Sequence, residues 1–240
     1  MKAMVFAAGF GTRLSTVTQG SPKCLVEVAG IAMLERVVEG LKSAGVKEVV
    51  INLHYRPEQI REFVSGRRNF GIKVHFTEEA EILGTGGGLK NAEDFFKDEE
   101  CFFIHNSDVY SEISLEALAA QHQASEAVAT LAVVERPTDR ALLFDSSGKL
   151  VGYENKGSGE RVVARVSTDL HPLGFSGIQV CSSRIFEYMR GESGTFSTIR
   201  AYLNAVKSGA LVEAFRMEGA YWVDMGTPDR LEELRRYLKG

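Results

Sequence analysis

The apolar positions along the chain follow two alternating rhythms. Lys2-Ala3-Met4-Val5-Phe6-Ala7-Ala8 is a short unbroken apolar run, the pattern of a strand buried on both faces. Over 31–44 the spacing turns helical, with Met33-Leu34, Val37-Val38 and Leu41 on one side and Gly45 as the stop. β-Branched residues over 46–53 predict a second strand, and Pro57 opens a helix carrying Ile60, Phe63 and Val64. Further strands are expected at 72–76, 101–105 and 127–134. Helices are expected after Gly84 and after Ser114, the second capped by its serine hydroxyl. Alternation this regular predicts an α/β fold, a doubly wound and mostly parallel sheet with right-handed crossovers.

Beyond residue 135 the rhythm changes. Two apolar runs at 142–145 and 150–154 flank Ser146-Ser147-Gly148 and predict a β-hairpin. Strands follow at 162–166, 173–180 and 211–217, with another ending at Val223. Helices are expected at 182–189, at 198–207 and from Pro228.

Each cluster of chemically capable residues falls just after an expected strand, where a doubly wound sheet takes its ligands. Gly9-Phe10-Gly11-Thr12-Arg13 follows the first strand. Glu78-Glu79 and the glycines from Gly84 to Gly88 follow the third, Asn106-Ser107-Asp108 the fourth, and Asp224 the last. Glycines let backbone N–H groups approach phosphate oxygens, while Arg13 and Lys23 supply permanent positive charge, so the loop suits a triphosphate. Leu14 stands where a dinucleotide-binding turn needs a third glycine, the stretch up to Pro22 is polar instead of helical, and the Gly-Lys-Ser/Thr of a P-loop is absent. On the glycines alone, a tight turn with a surface Arg and Lys fits equally well. Asp108, just past an apolar strand, suits a Mg²⁺ ligand or a turn aspartate. Asp224 precedes Thr227-Pro228, a helix start. Either Glu78 or Glu79 could read a base edge, although adjacent acids are commonly a solvated turn.

Composition narrows the classes. With 240 residues, 44% of them hydrophobic, the chain can bury a full α/β core. A net charge of −4 argues against a nucleic-acid-binding surface. Cys24, Cys101 and Cys181 lack metal-ligand spacing and are odd in number, so reduced thiols and a cytoplasmic location are expected. The apolar run over 3–8 is too short for a secretory h-region, and no stretch reaches the ~20 apolar residues of a membrane span.

Ala7-Ala8-Gly9-Phe10-Gly11-Thr12-Arg13-Leu14, then Pro22-Lys23-Cys24-Leu25-Val26 and Val28-Ala29-Gly30, resembles the sugar-1-phosphate nucleotidyltransferases, or nucleotide-sugar pyrophosphorylases. Their opening reads A-G-G-x-G-T-R-L…P-K-x-L-x-x-V-x-G. Ala8 stands where many members have Gly. The resemblance continues in Leu83-Gly84-Thr85-Gly86-Gly87-Gly88-Leu89, in Asn106-Ser107-Asp108 (family x-N-G-D), in Phe175-Ser176-Gly177-Ile178, and in Trp222-Val223-Asp224-Met225-Gly226-Thr227-Pro228 (family W-x-D-x-G-T-P).

The resemblance implies a Rossmann-like, three-layer α/β/α catalytic domain over 1–240. Its nucleotide-binding half would be 1–135 and its sugar-phosphate half 136–240, with the hairpin region over the substrate end and no C-terminal β-helix. It implies transfer of a nucleoside monophosphate from UTP or GTP to a sugar 1-phosphate, with release of pyrophosphate. Ala8, Gly9, Gly11, Thr12, Arg13, Lys23, Glu79 and Gly84 would bind the nucleotide. Asn106, Gly87, Glu154, Lys156 and Gly177 would bind the sugar phosphate, although Asn155 separates the family's E-K pair here. Asp108 and Asp224 would hold Mg²⁺, and Arg13, Lys23 and Asp108 would be catalytic. Short members similar to this chain include N-acetylmuramate-1-phosphate uridylyltransferases and mannose- or heptose-1-phosphate guanylyltransferases. Cytidylyl transfer to phosphocholine, or use of a nucleotide sugar by a glycosyltransferase, are the alternatives. A glycosyltransferase usually places two Asp around the metal turn, where Asn106 stands here. A homo-oligomer stays open; no nucleic acid or membrane partner is expected.

Overall fold

A computed structural model describes residues 1–14, 18 and 20–239. Most of the polar stretch between Leu14 and Pro22 therefore lies outside the described residues. The elements, in chain order, begin β1 (Lys2–Phe6), β2 (Glu27–Val28), β3 (Ile31–Ala32), α1 (Met33–Ser43), β4 (Glu48–Leu53), α2 (Pro57–Gly66) and β5 (Lys73–Glu78). Then come α3 (Gly84–Asn91), α4 (Glu93–Phe96), β6 (Cys101–Asn106), β7 (Val109–Ser111), α5 (Leu115–Gln123), β8 (Ala129–Val134), β9 (Arg140–Phe144) and β10 (Leu150–Asn155). The chain continues through β11 (Glu160–Val163), β12 (His171–Ser182), α6 (Thr198–Lys207), β13 (Val212–Arg216), β14 (Trp222–Asp224) and α7 (Pro228–Tyr237).

These elements form two compact units, and neither is a contiguous half of the chain. The first comprises Met1–Ile82, Ile104–Leu115 and Ala220–Gly240; the second comprises Leu83–Phe103 and Glu116–Gly219.

In the first unit β1 pairs with β4 and β4 with β5, all parallel, with Phe6 opposite Asn52 and Leu53 opposite Glu78. The end of β6 lies on the other side of β1. Met33, Leu34, Val37, Val38 and Leu41 make the buried stripe of α1, the periodicity expected of an amphipathic helix. The helix begins two residues later than its apolar pattern does. Ile31–Ala32 pairs instead with Glu27–Val28 around Ala29 and Gly30, both at positive φ, the geometry of a tight hairpin turn. A second small ribbon pairs β14 with β7, antiparallel. Behind it, Val223, Met225, Leu231 and Leu234 share one core with Leu14, Val26, Val28 and Met33. That core fixes the C-terminal strand and helix against the segment following the glycine loop.

The second unit is mainly antiparallel. β9 pairs with β10, β10 with β11, and β12 with both β8 and β9, all antiparallel, while β13 joins β8 in parallel. The expected hairpin is the β9–β10 pair, its turn held by Asp145, whose Oδ1 accepts from the N–H of Ser147 and of Lys149, each at 3.0 Å. Residues Ser183–Met189 form 3₁₀ turns in place of the expected α-helix. Helix α6 matches its expected span, with the Ser197 hydroxyl accepting from the Ile199 N–H. Phe96 and Phe102 stack at 3.9 Å in this unit's core, with Phe186 beside them.

Candidate active site

The carboxyl ends of β1, β4, β5 and β6 meet along one edge of the first unit. Parallel strands end there together, so the loops following them converge. Gly11 sits at φ +63°, a conformation costly for residues with a Cβ, and a Cβ on it would lie 2.8 Å from Lys23 Cβ. Glycine therefore allows the loop to close on the stem of Lys23. The Lys23 ammonium is ion-paired with Asp108 and largely shielded from solvent.

Asp108 and Asp224 are brought together by the ribbon. Asp224 lies opposite Val109, one residue beyond Asp108, and the Met225 N–H donates to the Asp108 carbonyl at 2.8 Å. Asp224 accepts from the Gly226 N–H at 2.9 Å and is ion-paired with Arg230 in the first turn of α7. A Cβ on Gly226 would lie 2.5 Å from Asp224 Oδ1 and 3.4 Å from Arg13 Nη1. The absence of a side chain there lets the exposed Arg13 guanidinium approach the same turn. The edge thus gathers two carboxylates and three cations, Arg13, Lys23 and Arg230, beside the glycine loop.

The two glutamates after β5 separate. Glu78 is exposed and ion-paired with Arg61. Glu79 is buried, at 5% exposure. Its carboxylate accepts from Asn52 Nδ2 at 2.6 Å, its N–H donates to the Leu53 carbonyl, and its carbonyl accepts from His54 Nδ1 at 2.7 Å. Asn52, itself buried, also accepts from the Ala7 N–H at 2.8 Å. The His54 ring packs edge-on against Phe10 of the loop, with centroids 5.1 Å apart.

Sequence reasoning overlooked Arg230, Gly226 and the role of Asn52. A polar residue inside the apolar run Val49-Val50-Ile51-Asn52-Leu53 was the available signal for the last.

Ala8, Gly9, Gly11, Thr12, Arg13, Lys23, Glu79, Asn106, Asp108 and Asp224 belong to the first unit; Gly84, Gly87, Glu154, Lys156 and Gly177 belong to the second. The glycines opening α3 have a packing role. The N–H of Gly86 donates to the Phe196 carbonyl at 2.9 Å. A Cβ on Gly84 would lie 2.6 Å from that oxygen, and one on Gly86 2.4 Å from the Phe196 ring. A Cβ on Gly87 would lie 2.7 Å from Leu83 Cβ and 2.9 Å from the Gly194 carbonyl oxygen. Glu154 faces Arg161 across β10–β11 at 3.7 Å, Lys156 is exposed with its N–H on the Asp139 carbonyl, and Gly177 is buried in β12.

Burial holds the imidazoles of His105 and His122 down to about 4 and pushes the Cys24 and Cys181 thiols up to about 12. His105 and His122 are thus neutral near pH 7, and the two buried thiols are inert. Among the described residues no cluster of three or more His, Cys, Asp or Glu is placed to hold a metal ion, and no helix is long and apolar enough to cross a membrane.

A parallel α/β edge carrying a glycine loop, paired carboxylates and a ring of cations defines a nucleotide-handling protein of Rossmann-like fold. The chain belongs to the nucleotidyl transferase family, whose model matches residues 2–239. It is 34% identical over 237 residues to a mannose-1-phosphate guanyltransferase of Schizosaccharomyces pombe, covering 95% of this chain but 61% of that protein. The chain therefore spans about three-fifths of the length of that relative. The structure of HddC from Yersinia pseudotuberculosis complexed with GMP-PN is 26% identical, with a TM-score of 0.77 and 99% of each chain covered. An inositol-1-phosphate CTP transferase from T. maritima, 20% identical, shares the fold at a TM-score of 0.79, over 99% of this chain and 96% of its own.

Proposed function

We propose that the chain transfers a nucleoside monophosphate from a nucleoside triphosphate to a sugar 1-phosphate, forming an NDP-sugar and pyrophosphate. The observation that carries this reading is the convergence of Lys23, Arg13, Asp108 and Asp224 beside the glycine loop, in a chain matched to the nucleotidyl transferase family along nearly its whole length. The attacking group, a sugar phosphate oxygen, is already ionised at neutral pH, so no general base is needed. Catalysis then consists of positioning and charge neutralisation. The backbone from Ala8 to Thr12 and the Arg13 guanidinium hold the β- and γ-phosphates. Lys23 neutralises charge growing on the α-phosphate, and Asp108 aims its ammonium.

Asp108 and Asp224 are also the groups we assign to a Mg²⁺ ion. They fit it: both offer hard oxygen donors, Asp224 pairing across the ribbon with Val109, the residue after Asp108, and Mg²⁺ asks for one or two carboxylates, with phosphates and water completing its shell. The ion, when bound, supplies charge neutralisation to the phosphates. Glu154, Lys156, Gly87 and Gly177 of the second unit and Asn106 of the first are assigned to the sugar phosphate, and Gly84 to the nucleotide. The guanyltransferase relative and the GMP-PN complex favour GTP, and that relative favours mannose 1-phosphate, over the other substrates of the class. Three free thiols, two of them buried, suit the cytoplasm.

Pyrophosphate release with Mg²⁺, measured for four NTPs crossed with a panel of sugar 1-phosphates, tests the reading. Release requiring both substrates, greatest with GTP, is expected. Release from NTP alone, or none while nucleotide binds, contradicts it.

A further inference from the structure

We propose that Arg230 is the counter-ion that holds Asp224 until a nucleotide phosphate draws it away, so that a divalent cation gains the carboxylate only once the triphosphate has bound. The inference rests on the nucleotidyl-transfer reading and adds to it a residue that couples metal to nucleotide. Arg230 stands in the first turn of α7, and its guanidinium is ion-paired with Oδ2 of Asp224. Oδ1 of the same carboxylate accepts from the Gly226 N–H at 2.9 Å. Asp108 is occupied in the same way, by the Lys23 ammonium. Each carboxylate assigned to the ion therefore already carries a cation, and the Arg13 guanidinium lies beside the Gly226 turn. Among these groups the two negative charges of Asp108 and Asp224 face the three positive ones of Arg13, Lys23 and Arg230.

A local structural role does not account for Arg230. It follows Pro228 and Asp229 at the third position of α7, with its N–H on the capping Thr227 hydroxyl. That position favours an acid, which complements the helix dipole and returns a hydrogen bond to the capping residue. A cation there opposes the dipole. The pair with Asp224 is partly exposed, the two side chains at 38% and 25%, and pairs so placed add little stability. The turn around Asp224 is already held by the Gly226 N–H and by the Met225 N–H on the Asp108 carbonyl. What remains for the guanidinium is electrostatic. While it stays on Asp224, a divalent cation meets no net negative charge among these groups, whereas a triphosphate meets a net positive one. The planar guanidinium matches phosphate oxygens with paired N–H donors, and the glycine loop expected to hold the phosphates belongs to the same unit. Entry of the triphosphate supplies the negative charge that Arg230 follows, and its departure leaves Asp224 Oδ2 to the cation. Metal and nucleotide then bind with positive coupling, each favouring the other by the same factor.

Equilibrium binding of two probes to the Arg230→Gln chain tests this: Mn²⁺ without nucleotide, read by electron paramagnetic resonance, and GTP in EDTA without metal, read by calorimetry. Mn²⁺ binding is expected to tighten about two- to fivefold, the scale of a partly exposed ion pair. GTP binding is expected to weaken about tenfold, the scale of a hydrogen bond between charged groups. The opposite signs are diagnostic, because a strut that only shapes the turn would move both affinities in one direction or neither. Adding Asp224→Asn to Arg230→Gln is expected to abolish the gain in Mn²⁺ affinity. Arg230→Lys keeps the charge without the planar fork, so it is expected to leave Mn²⁺ binding within about twofold and to weaken GTP binding about threefold. It reports even if Arg230→Gln fails to fold. In Arg230→Gln, both affinities unchanged, both weakened, or only one altered would overturn the proposal, as would Arg230→Lys binding GTP like the wild type. These results leave the nucleotidyl-transfer reading standing; a wild-type chain that binds no nucleotide overturns both.

Discussion

Two glycine-rich segments look alike in the sequence and behave differently in the structure. Among the described residues, a Cβ on Gly9 would meet nothing within 4 Å, and one on Gly11 would meet the stem of Lys23. From Gly84 to Gly87 the space is filled by the chain itself, with the Phe196 ring and carbonyl and the Gly194 carbonyl where side chains would be. Glycine signals close approach in both segments. In the second the approaching partner is protein, from more than 100 residues downstream. A run of glycines identifies a crowded backbone, and only the fold shows what crowds it. The first segment remains the better phosphate cradle because, among the described residues, Arg13 and Lys23 stand beside it.

The largest effects are expected at the carboxylates beside the first loop. Asp108→Asn and Asp224→Asn are each expected to lower kcat/KM about a hundred- to a thousandfold, the scale for removing one preorganised electrostatic group. Melting temperatures should stay within a few degrees, because both residues are partly exposed. Full activity in either variant would remove that residue from the site. Next come the glycines. Gly86→Ala drives a methyl into the Phe196 ring and is expected to destabilise by about 2 kcal/mol, an overpacking cost read by denaturant unfolding. Gly9→Ala should change stability by less than about 0.5 kcal/mol yet weaken nucleotide binding several-fold, measured by calorimetry. Equal stability losses at the two positions would erase the distinction.

A further expectation concerns pH. The folded-state values of His105 and His122 are lowered by burial from 6.5 to about 4. The unfolded chain therefore binds more protons between these values. Stability should be fully present above about pH 6.5 and decline as pH falls toward 4. Thermal melts of His122→Gln, if steeper with acid than those of the parent, would contradict this assignment.

The first unit was largely legible from sequence. Apolar runs and caps marked β1, α1, β4, α2 and the end of β6, and the loops after them carried the charged groups. Other features were hidden for physical reasons. β7 is three residues long and exists only by pairing with β14, so no local pattern announces it, although it sets Asp224 beside Asp108. Strand–helix alternation predicted parallel pairing for β8, which it makes with β13, but not its antiparallel pairing with the long β12 about 45 residues downstream. Asn52 was masked by the apolar strand around it, and Arg230 by its place in an ordinary capped helix.

Nucleotidyl transfer to a sugar phosphate at the charged edge of the first unit is tested by phosphorus NMR of the wild-type chain with Mg²⁺, GTP and mannose 1-phosphate. Equal amounts of pyrophosphate and a nucleoside diphosphate sugar, with loss of the sugar monophosphate signal, are predicted. Orthophosphate release with the mannose 1-phosphate signal unchanged would contradict it.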